Sequence, residues 1–526
     1  MMALPARWTI MRNPERVSNN RPAVLRMPLR AKITNPEVGR LGQRASIATF
    51  SDPPLSKELP SDEPDDVLFN SLYGVRTIEL NRPKKLNSLN GSMARKIVPR
   101  LREWEKSQMA NVIIMSGAGT KAFCAGGDVA ELAQQNNTPE GQRASSDYFA
   151  LEYQLDHLIA IYSKPYIAIM DGITMGGGVG LSVHAPFRIA TERTVFAMPE
   201  TTIGFFPDVG GSFFLPRLDG EIGTHLALTS ERLHGVQAFY AGIATHYIDS
   251  SVLTSLTTRL SELQFRDYAT LPSRLKLVND TLSEFTSSLP SPTDFSPEAK
   301  HGNLIGNLRA AIDRCYAYNS IEEILSALEA ESQSTSPTAM PEWAAATLST
   351  IKTRSPTSLK VTLQQLRRGR TWDIYETFIR EHKIASRFMS HPDFVEGVTA
   401  RLMKPRREPN WNPARLEDVT DEDVTSFFRV SREDESRIQL FEPSPYGADP
   451  SFKEARYHDY PHAQMALPRE EVIRTFVTQA PRTRRVVVEE MLRRWERKSG
   501  VGEKVEEVLD RKTETGEDGI VRWVDN

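Results

Sequence analysis

Residues 170–216 read MDGITMGGGVGLSVHAPFRIATERTVFAMPETTIGFFPDVGGSFFLP and combine a glycine-rich turn with two acidic residues. The turn is the glycine triplet 176–178, and the acidic residues are Glu200 and Asp208. Glycine lets a backbone approach a ligand closely, and a neighbouring carboxylate can transfer protons. The segment therefore predicts a site suited to acyl chemistry.

A second glycine-rich turn, Gly126-Gly127, lies upstream, and both turns precede a helical pattern. Reaction at a thioester builds negative charge on the carbonyl oxygen. One backbone N–H from each turn could stabilise that oxyanion, and each such donor typically lowers a barrier by about 2.7–4 kcal/mol. Alone, each turn is weak evidence, because most Gly-Gly pairs are plain turns and a triplet also allows close helix–strand packing.

The two carboxylates each have a functional and a structural interpretation. Glu200 follows Pro199 at the end of the apolar run 195–198, so we expect it where a strand ends. Apolar neighbours would raise its pKa, which suits a general base, and the same carboxylate could attack the carbonyl itself. The alternative is a structural carboxylate with satisfied hydrogen bonds. Asp208 precedes an expected helix start, so its alternative is an N-cap.

Hydrophobic patterning predicts an α/β architecture. Strands are expected at 74–80, 112–115 and 166–170, the last two as continuous apolar runs typical of buried parallel strands. A helix is expected over 145–162. Beyond Leu218 the pattern becomes mostly helical.

Charge is distributed unevenly along the 526 residues, whose formal net charge is −3. Residues 1–50 hold nine basic and two acidic residues, a composition typical of a mitochondrial transit peptide, with a disordered basic tail as the alternative. The remainder is acidic, which disfavours general nucleic-acid binding. The two cysteines imply no disulfide framework, and no continuous apolar run is long enough to span a membrane.

These patterns divide the chain into five segments. They are a transit peptide (1–50), a disordered linker (51–66), a catalytic core (67–284), a helical part of the same fold (285–428) and a charged C-terminal extension (429–526).

The extension contains a basic stretch, 474–498, with eight basic and three acidic residues. Val488, Leu492 and Trp495 recur there at helical spacing, with Gly500 as a stop signal. Such a helix could bind RNA phosphates or an acidic partner. Alternatively, it packs back on its own domain with a solvated arginine face.

Taken together, the motifs resemble the crotonase (enoyl-CoA hydratase/isomerase) superfamily. The resemblance covers roughly residues 67–428, and the two most specific segments are similar to its mitochondrial 3-hydroxyisobutyryl-CoA hydrolase branch. The matching segments are LNRPKKLNSLN (80–90), AFCAGGDV (122–129), GITMGGGVGLSVH (172–184), FAMPETTIGFFPDVGGSFFLPRL (196–218), SPTSLK (355–360), RFMSHPDFVEGVTARLMKP (387–405) and PNWNPARLEDVT (409–420).

The resemblance assigns roles to five residues. It implies that Gly127 and Gly177 donate to the oxyanion, that Glu200 and Asp208 are the catalytic carboxylates, and that Glu152 contacts the acyl group. For Glu152 the alternative is a solvated helix position. The implied fold is a spiral of ββα units forming two sheets, followed by a helical region.

One position departs from the hydratase pattern of this superfamily. Hydratases carry a second glutamate two residues after the triplet, where this chain has Gly180. No replacement acid is visible in the sequence, so the resemblance implies thioester hydrolysis, giving 3-hydroxyisobutyrate and CoA in valine breakdown. A hydratase or isomerase is the alternative.

The resemblance also implies partners. CoA is part of the substrate, so no cofactor is expected, and no metal-ligand spacing is visible. Fungal-type relatives are components of the small subunit of the mitochondrial ribosome. The extension could therefore contact ribosomal proteins and rRNA, with activity either retained or lost. We expect a mitochondrial matrix protein with no membrane segment.

Overall fold

The protein is described by a computed structural model that covers most of the chain. The described residues are 54–266, 269–286, 289–290, 304–431, 437–443 and 456–524. All of them belong to one compact unit, Pro53–Asn526. The predicted transit peptide, residues 1–50, lies outside the described residues.

Two sheets make up most of the β-structure of this unit. The described strands are β1 (Val67–Leu72), β2 (Val75–Leu80), β3 (Val112–Gly117), β4 (Ala122–Cys124), β5 (Tyr166–Met170), β6 (Ile173–Met175), β7 (Phe187–Ala190), β8 (Val195–Ala197), β9 (Leu233–His234), β10 (His246–Tyr247), β11 (Thr513–Thr515) and β12 (Val521–Trp523).

The larger sheet has six strands in the order β1-β2-β3-β5-β7-β10, and the smaller has four in the order β4-β6-β8-β9. β1 and β2 form an antiparallel hairpin, while β2, β3, β5, β7 and β10 run parallel. Every residue of β5 is buried, as expected for a parallel strand covered on both faces. The predicted α/β fold is confirmed.

Helices surround the sheets and form the region that follows them. The described α-helices are α1 (Gly91–Lys106), α2 (Val129–Gln135), α3 (Pro139–Ala160), α4 (Gly177–Val183), α5 (Gly211–Phe214), α6 (Ile222–Thr229), α7 (Val236–Tyr240), α8 (Leu253–Ser261), α9 (Leu271–Ser283), α10 (Gly306–Tyr316), α11 (Ile321–Ser332), α12 (Pro341–Ile351), α13 (Pro356–Gly369), α14 (Ile374–Met389), α15 (Pro392–Leu402), α16 (Asp421–Ser426), α17 (Glu470–Gln479), α18 (Arg484–Arg494) and α19 (Val501–Lys512).

Helix α3 is the central helix of the fold and begins six residues earlier than the patterning predicts. The Thr138 side chain accepts a hydrogen bond from the Gly141 N–H, and Pro139 occupies the first helical position. Much of the helix is buried, and α14 packs along it through ring contacts such as Tyr153 with Phe378. This pairing joins the α/β half of the molecule to its helical half.

The described part of the expected linker, residues 54–66, is held against the core. Lys96 on α1 donates to the buried Asp66 carboxylate at 2.6 Å, and Arg95 forms an ion pair with Asp62. Two of the acidic residues that predicted a solvated linker therefore pair with basic residues of α1. Disorder is the wrong prediction for these residues.

The C-terminal extension packs on the core through α17, α18 and α19. Val487 and Met491 on α18 are fully buried in an apolar cluster that also contains Ala190 of β7 and Phe239 of α7. The predicted stripe of Val488, Leu492 and Trp495 is only partly buried beside them. The buried stripe is thus displaced by one residue, and α18 ends at Arg494 rather than at Gly500.

Three arginines of α18 and one just after it form ion pairs. Arg493 and Arg494 both pair with Glu490, and Arg497 pairs with Glu489. Arg484 reaches α19, where it pairs with Asp510 at 2.7 Å. These contacts favour the interpretation in which the helix packs on its own domain.

Candidate active site

The two glycine-rich turns meet at one edge of the smaller sheet. Gly126 and Gly127 follow β4, Gly176 and Gly177 follow β6, and these two strands are parallel neighbours. A Cβ added to Gly176 would lie 3.3 Å from the Gly126 Cα, and one added to Gly177 would lie 3.5 Å from the Gly127 nitrogen. The turns are therefore in contact, although fifty residues separate them in the sequence.

Gly177 begins α4, so the first-turn amides of that helix lie beside the Gly127 turn. Gly176 adopts φ 45°, a left-handed conformation that favours glycine. Gly178 has a packing role, since a Cβ there would overlap the Cys124 carbonyl oxygen. The packing explanation of the triplet holds for Gly178, while the role of Gly127 and Gly177 as oxyanion donors stays a prediction.

Glu200 lies directly beside this pair of turns. It begins a short 3-10 helix, Glu200–Ile203, immediately after β8 and Pro199. A Cβ added to Gly176 would lie 3.2 Å from its Oε1, and its Oε2 is buried with no hydrogen-bond partner among the described residues. Burial, and then the nearby Asp208 carboxylate, raise the pKa of Glu200 well above its ordinary value. A purely structural Glu200 would have both carboxylate oxygens hydrogen-bonded, and Oε2 has no such bond to any described residue.

The helical region holds the Glu200 turn in place. A Cβ added to Gly397 of α15 would overlap the backbone of Ile203, so the helix touches this turn. Phe205, which follows the turn, stacks against Phe149 of α3 and contacts Phe388 of α14. Three elements therefore fix the strand exit that carries Glu200.

Asp208 is buried and is held by a tyrosine. The Tyr153 hydroxyl of α3 donates to its Oδ2 at 2.7 Å. Burial raises the pKa of Asp208 to about 7, and the hydrogen bond from Tyr153 opposes that rise. The N-cap of α5 is Gly210, with no side-chain capping bond, so the N-cap explanation of Asp208 is wrong.

Glu152 is buried on α3 and lies against Gly177. A Cβ added to Gly177 would overlap its Oε1, which has no hydrogen-bond partner among the described residues. Burial, and then Asp208, raise the pKa of Glu152 well above its ordinary value. Because the side chain is only 2% exposed, the solvated interpretation is wrong.

Three residues near the site escape the sequence analysis: Tyr153, Asp156 and Glu381. Glu381 on α14 accepts hydrogen bonds from the Gly210 and Ser212 N–H groups at 2.7 Å each, and burial raises its pKa to about 8. It thus holds the backbone that follows Asp208. No local signal indicates Glu381, but Asp156 follows Glu152 by one helical turn, a spacing that predicts a shared face.

Asp156 fills the space beside Gly180. A Cβ added to Gly180 would overlap Oδ2 of Asp156 and would lie 2.7 Å from its Cγ. The sequence shows no acid that replaces the hydratase glutamate, whereas the structure places a carboxyl group against that position. The expectation that no replacement acid exists is therefore corrected.

The described residues give no sign of a metal centre or a membrane segment. They contain no group of three His, Cys, Asp or Glu side chains placed to hold a metal ion. No helix among them is both long and apolar enough to cross a membrane. The expected absence of a cofactor stays a prediction.

Comparison with known proteins places this geometry in a family. The family model described as enoyl-CoA hydratase/isomerase matches residues 75–428. The solved structure of a carnitinyl-CoA dehydratase from Mycobacterium thermoresistibile is 34% identical and superposes with a TM-score of 0.60, covering 70% of this chain and 97% of that one.

Two curated relatives are similar over long stretches. The small ribosomal subunit protein mS47 of Neurospora crassa is 50% identical, over 93% of this chain and 92% of that protein. The mitochondrial 3-hydroxyisobutyryl-CoA hydrolase of Gallus gallus is 43% identical, over 70% of this chain and 90% of that protein. These relatives confirm the predicted mitochondrial location, and the chain belongs to the enoyl-CoA hydratase/isomerase, or crotonase, family.

Proposed function

We propose that the protein hydrolyses the thioester of 3-hydroxyisobutyryl-CoA to 3-hydroxyisobutyrate and CoA. The observation that carries this proposal is the convergence of Glu200 and Glu152 on the paired glycine turns, with the Asp208 carboxylate near enough to raise the pKa of both. Backbone amides and carboxyl groups are what thioester hydrolysis requires. The similar hydrolase of Gallus gallus supports the choice of acyl group.

In this proposal the Gly127 and Gly177 N–H groups bind the thioester oxygen. Negative charge grows on that oxygen as the tetrahedral intermediate forms, so fixed donors stabilise the transition state more than the ground state. The contact between the two turns brings the donors to one point. Bulk at Gly177 would displace Glu152, which makes glycine the required residue there.

Glu200 acts as the general base on water. Its raised pKa makes it a stronger base than an ordinary carboxylate once it has lost its proton. Water attacks the carbonyl carbon, Glu200 takes a proton, and collapse of the intermediate expels the CoA thiolate, which is then protonated. Direct attack by Glu200 would instead form an anhydride with the acyl group, which water then cleaves.

Hydrolysis liberates one free thiol per turnover, so a thiol-reactive dye tests this function on the full chain. We expect thiol release from 3-hydroxyisobutyryl-CoA and no loss of the enoyl absorbance of crotonyl-CoA. Because the Asp156 carboxyl lies against Gly180, crotonyl-CoA is the informative second substrate. Hydration of crotonyl-CoA without thiol release would establish a hydratase instead.

A second function, membership of the small subunit of the mitochondrial ribosome, is supported by one observation. The similarity to mS47 covers 93% of this chain, whereas that to the Gallus gallus hydrolase covers 70%. The folded extension, α17 to α19 with β11 and β12, is the part expected to contact ribosomal proteins or rRNA. The two functions are compatible, because the extension contributes none of the site carboxyl groups.

A further inference from the structure

Asp156 is a buried carboxyl group that the reaction proposed above does not use. Its side chain is 0% exposed, and neither oxygen has a hydrogen-bond partner among the described residues. A buried carboxyl group without a hydrogen-bond partner costs stability. Asp156 lies against Gly180, and Gly180 belongs to the helix that begins at Gly177. Asp156 therefore lies beside the proposed acyl site rather than in the apolar core.

The spacing along α4 is comparable to the reach of a 3-hydroxyacyl group from its carbonyl to its hydroxyl group. Gly177 and Gly180 are three residues apart on this helix, which corresponds to a rise of about 4.5 Å. Glu152 lies against the first of these glycines and Asp156 against the second. An acyl carbonyl held at the Gly177 amide therefore places its third carbon within reach of the second carboxyl group.

We propose that Asp156 determines acyl specificity by hydrogen bonding to the hydroxyl group on the third carbon of the substrate. This inference rests on the proposed hydrolase function and names the group through which the site distinguishes a 3-hydroxyacyl thioester from a plain acyl thioester. Asp156 is then a specificity-determining residue, while Glu200 keeps the chemical role.

The Asp156 carboxyl group and the substrate hydroxyl group have complementary hydrogen-bonding properties. A hydroxyl group both donates and accepts, and a protonated carboxyl group does the same, whereas a carboxylate only accepts. Burial, and then the charges of Glu152 and Asp208, raise the pKa of Asp156 well above its ordinary value. The protonated form that this favours satisfies a hydroxyl in both directions.

A substrate without the hydroxyl group leaves the carboxyl group unpaired against a methyl group. Sites built to hydrogen-bond a hydroxyl reject the analogue that lacks it, because the buried polar group loses its partner. We expect kcat/KM for 3-hydroxyisobutyryl-CoA to exceed that for isobutyryl-CoA by about 10-fold to 100-fold.

Three variants of α3 separate this role from a structural one. Asp156→Leu should lower kcat/KM for the hydroxyacyl thioester, raise it for isobutyryl-CoA, and so reduce their ratio at least tenfold. Asp156→Asn should keep most of the ratio, because an amide also donates and accepts. Gln154→Leu is the matched control, since Gln154 is a buried polar residue on the opposite face of the same helix and should leave the ratio unchanged.

The decisive measurement is of binding alone, so that it does not depend on hydrolysis of the thioester. Calorimetric titration with non-hydrolysable ketone analogues of both acyl-CoA molecules, in which a CH2 group replaces the thioester sulfur and the carbonyl is kept, gives the same ratio as a ratio of Kd values. Loss of the ratio in Asp156→Leu alone supports the proposal. The proposal is overturned if the ratio of Kd values is unchanged in Asp156→Leu, or if it is lost only in Glu152→Leu. If the wild type does not hydrolyse the thioester but keeps the binding ratio, the result counts against the proposed reaction and not against the role of Asp156.

Discussion

Burial raises the pKa of Asp208 to about 7, from an ordinary value of 3.8. Between about pH 4 and pH 7 the folded protein keeps a proton that the unfolded chain has released. The contribution of Asp208 to the free energy of unfolding is therefore fully present below pH 4 and is lost as the pH rises to about 7. The site carboxyl groups thus cost stability at the pH where the reaction needs them ionised.

Asp208→Asn should remove this cost. Asparagine stays neutral at every pH, and its side-chain oxygen can still accept the hydrogen bond from Tyr153. We expect the variant to be more stable than the wild type by about 1–3 kcal/mol at pH 8, with the difference vanishing near pH 4. Thermal or denaturant unfolding at both pH values measures it.

The control for this substitution is Asp147→Asn, which changes an exposed aspartate on α3. It should leave the free energy of unfolding within about 0.5 kcal/mol of the wild type. A gain for Asp208→Asn that persists unchanged at pH 4 would show that packing, and not charge, explains the effect.

Among the elements, those with strong local signals follow the sequence predictions closely. β5 spans the predicted residues 166–170, and β2 and β3 overlap the strands predicted at 74–80 and 112–115. The start of α3 is six residues early because Thr138 and Pro139 form a capping signal that the hydrophobic pattern does not include. Periodicity locates an apolar face, while capping chemistry sets the ends.

α18 shows what local patterning cannot predict. The expected stripe and the observed one differ by a single residue, because one face of the helix packs against α19 and the core elements β7 and α7. The orientation of an amphipathic helix depends on where its neighbours lie, and those neighbours are distant in the sequence. The same holds for Glu381, which is 171 residues from the Gly210 amide that it binds.

Two adjacent valines on α18 test whether the extension is part of the folded core. Val487 is fully buried and Val486 is 49% exposed, and both lie in the same helix. Val487→Ala should destabilise the protein by about 2 kcal/mol, through lost burial and a cavity. Val486→Ala should stay within about 0.5 kcal/mol of the wild type.

Comparing the two variants cancels the effect of helix propensity on stability, because both make the same chemical change in one helix. Equal effects in denaturant unfolding would mean that α18 does not pack on the core as described. A separate early transition in Val487→Ala would instead show that the extension unfolds on its own.

At the scale of the molecule, a candidate acyl-CoA site is joined to a packed extension, and the sequence predicts these two parts unequally. The glycine turns, Glu200 and Asp208 are visible as motifs, since each is a short local pattern. Their convergence, and the place of Asp156 against Gly180, arise from helix packing between segments far apart in the chain. Motifs therefore predict which residues act, and packing decides which of them meet.

The proposed membership of the mitochondrial ribosome predicts how the full-length protein sediments. In a sucrose gradient of mitochondrial lysate, we expect the full chain to sediment with the small ribosomal subunit. Full-length protein found only in the top fractions would contradict this second function.

The central claim is that Glu200 activates water for thioester hydrolysis, and free CoA release tests it most directly. The wild-type chain should release CoA from 3-hydroxyisobutyryl-CoA, and Glu200→Gln should lower kcat by about 10²-fold or more, since a general base typically contributes 10²–10⁴-fold. Glu140→Gln, the same change at an exposed position on α3, should leave kcat unchanged. No release by the wild type, or equal rates for the wild type and Glu200→Gln, would contradict the claim.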